Sequence, residues 1–323
     1  GENMEKLVAI GPYSPAMRRS IEAYLPEGVA ISYITQQSQY DALCDADYIL
    51  LRTLRLERAQ IETLQKARLI QRWGAGYDSV DIHAAGERKI QVAVGAGVNA
   101  QSVAELTVLL MLAVCRNLIA QVDAFAEGKD CRVAYAANSL CIHGKTVGIF
   151  GMGSIGKKVA AIVRGLGAQV IYYDVYRMSV EQEEMLGCHF ADEDEVLRTA
   201  DIVSLHLPLL ESTVGYLNAQ RIAKMKPGAV LVNAARQELV DEQALAQALR
   251  EGRLLGAGLD EIAQPYAQSP FAGMQNLICT PHIGGSTVDI NDTMAKICME
   301  HVREVQHGAV LTRPSLVNAE YFK

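Results

Sequence analysis

Three polar residues stand just beyond apolar runs in the second half of the chain, and their types suit proton and charge handling. Arg236 closes Val232-Asn233-Ala234-Ala235-Arg236, Asp260 closes Gly258-Leu259-Asp260, and His282 lies in Thr280-Pro281-His282-Ile283-Gly284-Gly285. A guanidinium fork suits bidentate capture of a carboxylate. An imidazole held by a preceding proline, with glycines behind it that permit close approach, suits transfer of a hydroxyl proton. Each residue alone is more often structural than functional. What gives them a common purpose is the stretch that precedes them.

That stretch is Thr146 to Asp174. It reads as a strand, then Gly151-Met152-Gly153-Ser154-Ile155-Gly156, then an apolar-patterned helix, then Gln169-Val170-Ile171-Tyr172-Tyr173 and Asp174. Gly151 allows the tight turn, Gly153 lets backbone approach a pyrophosphate, and Gly156 lets helix pack on strand. The amides of Ser154 and Ile155 open the helix, whose free N–H groups and positive dipole end favour phosphate. Asp174 follows Gly156 by 18 residues, near the spacing of a ribose-binding acid. Its carboxylate can accept from both ribose hydroxyls and would repel a 2′-phosphate, so NAD is expected rather than NADP. Arg177 lies nearby and works against that preference. Phosphate-loop readings fail, because Lys158 stands where Ser or Thr must reach a metal and Ser139 occupies the first-glycine position before Gly144-Lys145-Thr146. Met152 likewise excludes a serine-hydrolase elbow. Behind a dinucleotide site, Arg236, Asp260 and His282 describe hydride transfer at a hydroxyl-bearing carbon.

The elements that must position these residues follow a simple rhythm. Strand-like runs alternate with helix-like segments along the chain, which predicts α/β architecture with parallel sheets. The fingerprint is absent from the first third, where strands are read at Leu7–Ile10, Ile31, Tyr48–Leu51, Leu69–Gln71 and Ile90–Val94. A separate α/β unit therefore comes first. Further strands are read at Ile202–Leu205, Ala229–Val232, Gly256–Leu259 and Leu277–Cys279, with helices over Asp241–Glu251 and Ser286–His307. The long last helix can cross back to the first unit. The expected division is residues 4–100 with 290–323 as a discontinuous substrate domain and residues 101–289 as the NAD domain. Ser102–Arg116 is apolar on nearly all sides, which predicts burial between layers or in an oligomer interface.

Composition bounds the function. The net charge of −7 over 323 residues argues against a nucleic-acid or anionic-membrane partner. The longest apolar run, near Leu106–Cys115, is too short to span a bilayer, and no signal peptide is read. Seven cysteines, dispersed without a C-x-x-C pair, suggest free thiols in a reducing cytoplasm. No metal site is expected.

Taken in order, these motifs resemble the D-2-hydroxyacid dehydrogenase family, with phosphoglycerate dehydrogenases as the nearest branch. The likeness runs through Gly74-Ala75-Gly76-Tyr77-Asp78-Ser79-Val80-Asp81, Asn99-Ala100-Gln101-Ser102-Val103-Ala104-Glu105 and Gly144–Gly148 leading into the fingerprint. It continues in Leu205-His206-Leu207-Pro208, Arg236 to Glu242, Asp260 and Pro281–Gly285. The resemblance implies two doubly wound parallel-sheet domains, a Rossmann-type cofactor domain and a flavodoxin-like substrate domain, with homodimerisation through the former. It implies a 2-hydroxy or 2-oxo acid as substrate. It assigns Arg236 to substrate carboxylate and carbonyl, His282 to acid/base work and Asp260 to the nicotinamide amide. Cofactor contacts are implied at Gly151, Gly153, Ser154, Ile155, Gly156, Asp174, Leu207, Pro208, Ala234, Ala235, Arg236, Asp260, His282, Gly284 and Gly285. Substrate contacts are implied at Arg52, Ala75, Gly76, Asn99 and Arg236. Arg52 resembles an arginine that contacts phosphate in phosphoglycerate dehydrogenases, although Arg52 and Arg55 also read as solvated loop residues.

Two departures bear on chemistry. The family pattern after Asp260 usually carries a glutamate that pairs with the histidine. Here Asp260-Glu261-Ile262-Ala263-Gln264-Pro265 is one residue short, so either Gln264 replaces the glutamate or the glutamate is missing. In that case His282 lacks an anion and titrates near its ordinary value of about 6.5. The rival expectation is that Glu261 takes the partner role. Formate-oxidising relatives use a glutamine beside the histidine, so formate joins glyoxylate and hydroxypyruvate as an alternative substrate. A non-catalytic NAD-sensing protein on the same scaffold is the alternative of another class. The second departure is Gln237 where the family prefers glycine; a positive φ there would strain the backbone by about 1 kcal/mol or more.

Overall fold

The computed structural model describes residues 4–323. The chain divides into two compact units, one running to Asn99 and taking Ser286–Lys323, the other Ala100–Gly285. The sequence-based division set the boundaries at 100/101 and 289/290. The crossing back therefore comes four residues earlier than anticipated, before the helix Val288–Gln306.

In the smaller unit the strands are β1 (Glu5–Ile10), β2 (Val29–Ile34), β3 (Tyr48–Leu51), β4 (Leu69–Arg72) and β5 (Gln91–Ala93), in the order β2-β1-β3-β4-β5. All neighbours are parallel. This is the flavodoxin-like strand order. Period-2 alternation distributes the side chains to two cores, as a sheet covered on both faces requires. Leu7, Ala9, Tyr48 and Leu50 meet Met294, Cys298 and Val302 on one side. Val8, Ile10, Ile49 and Leu51 meet Leu56 and Ile61 on the other. The helix Pro15–Tyr24 starts where Ser14 accepts from the Met17 amide at 3.2 Å, with proline in its first turn.

The larger unit carries seven parallel strands: β6 (Thr146–Phe150), β7 (Gln169–Tyr173), β8 (Cys188–Phe190), β9 (Ile202–Leu205), β10 (Val230–Asn233), β11 (Gly256–Leu259) and β12 (Leu277–Cys279). Their order is β12-β11-β10-β9-β6-β7-β8. The chain winds outward from β6 through β7 to β8, then returns to β9 and winds the other way. The direction reverses between β6 and β9, the place where open parallel sheets bind their ligands at the C-terminal ends of the strands. Strand β8 was not read from the sequence, since Cys188-His189-Phe190 has a polar residue at its centre and no apolar run to find.

The apolar stretch after Asn99 forms the helix Ala100–Cys115, largely buried against the sheet, with Leu109 and Leu112 left exposed. A second helix, Leu118–Ala126, follows with no buried residue at all. Its Leu118, Ile119, Val122 and Phe125 face solvent. No single helix among the described residues is long and apolar enough to cross a membrane.

Candidate active site

The glycine loop leaves β6 through Gly151 at φ +93°, and a Cβ there would lie 2.6 Å from the His206 carbonyl oxygen. Only glycine tolerates that conformation and that approach. A Cβ at Gly153, by contrast, would meet open space. The backbone is thus bare on the side that a pyrophosphate would approach, at the start of the helix Ser154–Gly165. Asp174, at the end of β7, is fixed by two amides. Its Oδ2 accepts from Met152 N at 2.7 Å and its Oδ1 from Tyr176 N at 3.1 Å. The acid therefore sits directly on the glycine loop, and a dinucleotide fits this arrangement. Arg177 is held by Glu183, at 2.9 and 3.1 Å, instead of lying loose in the loop.

At the end of β10 one side chain shapes the turn. Asn233 accepts from Ala235 N at 3.0 Å and donates to the Arg236 carbonyl at 2.8 Å. Arg236 donates back to the Ala235 carbonyl at 2.8 Å. These contacts fold Ala234 and Ala235 tightly and present Arg236 half-buried at the sheet's C-terminal edge. Gln237 does not have a positive φ, so the strain anticipated at that residue is absent. It begins a short 3₁₀ turn, Gln237–Leu239, in ordinary right-handed geometry.

Positive φ falls on His282 instead, at +55°. Histidine enters this region more readily than most residues, and the surroundings impose it here. The His282 amide donates to the Asp260 carbonyl. The Asp260 side chain accepts from Thr280 Oγ1 at 2.6 Å, Ile283 N at 2.9 Å and Gly284 N at 2.8 Å. A Cβ on Gly284 would come within 2.9 Å of the same carboxylate. Ser102 closes the turn from the long helix by donating to the Gly284 carbonyl at 2.6 Å. Asp260, which the family likeness points toward the nicotinamide, is 5 % exposed and also grips the turn that carries the imidazole.

The imidazole's neighbour is Glu261. Its Oε2 lies 3.3 Å from His282 Nδ1, an ion-pair contact without the alignment of a strong hydrogen bond. The nearby carboxylate raises the His282 pKa above its ordinary value, against desolvation and the Arg236 charge, which lower it. The same ring holds the Glu261 pKa down. The expectation of a histidine without an anion is therefore corrected. Gln264 lies exposed in the following loop, and its amide is not what faces the ring at 3.3 Å. Glu242 secures the shortened loop by accepting from Ala263 N at 2.8 Å. Glu242 stood at the end of the matched segment from Arg236, in the first turn after the cap Asp241, but sequence reasoning gave it no role. Asn233 and Ser102 stood inside sequence motifs with no role assigned to either, and Glu183, which acts through folded contacts alone, was not singled out.

The remaining predicted residues lie as follows. Leu207 is half-buried and Pro208 exposed after β9; Gly285 follows Gly284 in the histidine turn. Before them, His206 is half-buried with Nε2 at 2.8 Å from Ser204 Oγ, and burial pushes its pKa down to about 4. In the smaller unit, Arg52 donates to the Pro12 carbonyl and Arg55 to the Asp78 carbonyl at 3.1 Å. Ala75 and Gly76 are half-buried, and the Gly76 carbonyl accepts from Arg72 at 2.9 Å. Asn99 has a buried Oδ1 with no hydrogen-bond partner.

A parallel sheet with an acid on a glycine turn, an arginine and a Glu–His pair at its C-terminal edge fits a nicotinamide-dependent oxidoreductase. Residues 108–284 match the family description D-isomer specific 2-hydroxyacid dehydrogenase, NAD binding domain. The chain belongs to that NAD-dependent enzyme family. It is 37 % identical to D-3-phosphoglycerate dehydrogenase of Mycobacterium leprae over 281 residues, covering 86 % of this chain and 52 % of that protein. It thus spans about half the length of the phosphoglycerate dehydrogenases it matches. It is 33 % identical to glyoxylate reductase of Thermococcus litoralis over 302 residues, covering 91 % and 88 %. Among solved structures, the NAD-dependent formate dehydrogenase of Staphylococcus aureus in complex with NAD superposes with a TM-score of 0.86 at 25 % identity, covering 97 % and 98 %.

Proposed function

We propose that this chain transfers a hydride between NAD and C2 of a D-2-hydroxy acid and its 2-oxo acid. The observation that carries the reading is the Glu261–His282 pair beside Arg236, at the edge of the sheet that also bears Asp174. When bound, NAD supplies the hydride acceptor for oxidation, or NADH the donor for reduction. Arg236 holds the substrate carboxylate and fixes C2 in place. Neutral His282 takes the hydroxyl proton during oxidation, and protonated His282 returns it to the carbonyl oxygen during reduction. Glu261 occupies Nδ1, which leaves Nε2 for the exchange and favours imidazolium as it forms. The products of oxidation are the 2-oxo acid, NADH and one proton.

Within the family we favour D-3-phosphoglycerate or a small 2-oxo acid such as glyoxylate or hydroxypyruvate. The phosphoglycerate reading rests on identity to those relatives and on Arg52. The glyoxylate reading draws support from the matching length of the glyoxylate reductases. Formate loses its motive, since it rested on a glutamine partner for His282. The intact pair also speaks against a non-catalytic NAD sensor. Absorbance of NADH during a screen of 2-oxo acids tests the reading, with turnover on at least one expected. No turnover on any, with NADH still bound, would favour the sensor.

We also propose a homodimer through the larger unit, in a reducing cytoplasm. The support is the exposed apolar strip of Leu118, Ile119, Val122 and Phe125. Sedimentation should give twice the chain mass, and Phe125→Asp should shift it toward monomer.

A further inference from the structure

We infer that Glu183 enforces the choice of NAD over NADP by holding Arg177 away from a 2′-phosphate. Asp174 opposes a second phosphate by charge, but a cation lies only three residues along the same loop. Asp174 Oδ1 accepts from the Tyr176 amide, so the loop turns tightly and Arg177 follows at once. An arginine in that loop can accommodate a 2′-phosphate in other dinucleotide folds. Here it is engaged three ways. Its Nε and Nη2 meet the two oxygens of Glu183 at 2.9 and 3.1 Å, and its guanidinium carbon lies 5.2 Å from the Phe190 ring centre. The fork is thus matched to a carboxylate in the bidentate geometry it prefers.

The holder is itself fixed. The Glu183 side chain is only 10 % exposed, whereas that of Arg177 is 57 % exposed. Glu183 also accepts from Tyr172 Oη at 2.8 Å, and that hydroxyl accepts from Met178 N at 2.9 Å. Tyr172 lies in β7, two residues before Asp174, and is fully buried. Strand, ribose acid, arginine and holder therefore form one connected unit. The Arg177 pairing keeps the Glu183 pKa below the ordinary carboxylate range, so the holder stays charged at neutral pH. A 2′-phosphate would have to compete with an anion already in place for the cation, as well as face Asp174.

The test is titration of NADH and NADPH by quenching of protein fluorescence or by calorimetry, which requires no turnover. Glu183→Gln keeps an acceptor for Tyr172 and removes the charge. It should leave NADH affinity unchanged and strengthen NADPH binding by roughly tenfold, the size of one exposed charge-assisted pair. Arg177→Met should change NADPH affinity little in the parent protein, but abolish the gain in the Glu183→Gln background. If Glu183→Gln fails to fold, Glu183→Asp serves, because its carboxylate stands one carbon short of the Arg177 fork. Unchanged NADPH binding in the folded Glu183 variant would overturn the inference, and so would a several-fold loss from Arg177→Met in the parent. The inference rests on the dinucleotide site and not on the substrate. Failure of the parent to bind NADH would instead remove the site itself.

Discussion

Two aspartates stand at the ends of parallel strands in the same sheet, and they do opposite work. Asp174 ends β7 with one amide on each oxygen and is half-buried, so lone pairs remain for a ligand. Asp260 ends the β11 run nearly buried, with three donors on its side chain and a fourth on its carbonyl. The first is an acid with acceptor capacity to spare, which suits the proposed ribose contact. The second is an acid already answered by the protein, and what it answers is the turn that presents His282. The same residue type at the same place in the topology is thus read by its donors and not by its position. A change at Asp174 should appear in binding, and a change at Asp260 in folding first.

The sharpest break in this comparison is Asp260→Ala. It leaves three donors without their acceptor, the Gly284 amide buried and the Thr280 hydroxyl and Ile283 amide part-buried, so denaturant unfolding should show a loss of about 3 kcal/mol. Activity should go with it, because His282 is held at positive φ by the same contacts. An unfolding midpoint equal to that of the parent would mean the turn is held by other means. His282→Ala separates chemistry from scaffold. Turnover should fall by roughly 10²-fold or more while stability stays close to the parent. Unchanged turnover would take the histidine out of the mechanism. Asp174→Ala is the counterpart at the other acid. Stability should drop by only about 1 kcal/mol, since Tyr176 is exposed and the Met152 contact is part-buried. The preference for NAD over NADP should narrow, and equal affinity for both cofactors in the unmutated protein would defeat the reading of Asp174.

Much of this was legible in the sequence, for reasons that differ by region. The stretch Thr146–Asp174 could be read because backbone geometry dictates its residues. Gly151 needs positive φ, Gly156 needs close packing, and the spacing to Asp174 is one helix and one strand. Parallel order followed from alternating apolar runs, and the crossing of the last helix from its position after the last strand. The Glu261–His282 contact could not be read this way. Removing one residue from the loop after β11 changes which side chain reaches the ring. Nothing in local spacing decides between Glu261 and Gln264. That outcome depends on how Glu242 fastens Ala263 from a separate helix. The placing of strain at His282 instead of Gln237 is of the same kind, set by the partners around Asp260. Edge strand β8 was hidden because His189 interrupts its apolar run, and the Arg177–Glu183 pair because a six-residue separation gives no pattern to a one-dimensional reading.

The smallest expected effect is also the most discriminating, because it moves a pH profile and leaves its height largely alone. Glu261 is the main influence raising the His282 pKa. Glu261→Gln should therefore lower it, leaving desolvation and Arg236 to act in the same downward direction. In the proposed mechanism oxidation needs neutral His282, so the acidic limb of kcat/KM for oxidation should extend to lower pH in the variant. Reduction needs protonated His282, so its rate should begin to fall at lower pH as the solution is made more alkaline. Gln264→Glu should leave both limbs in place, since that residue is exposed beyond the loop fastened by Glu242. Glu242→Ala should move the limbs in the same direction as Glu261→Gln but less far, because it loosens the loop without removing the carboxylate. Profiles indifferent to Glu261→Gln, or limbs that respond to Gln264→Glu, would return the partner role to the residue the family spacing first suggested.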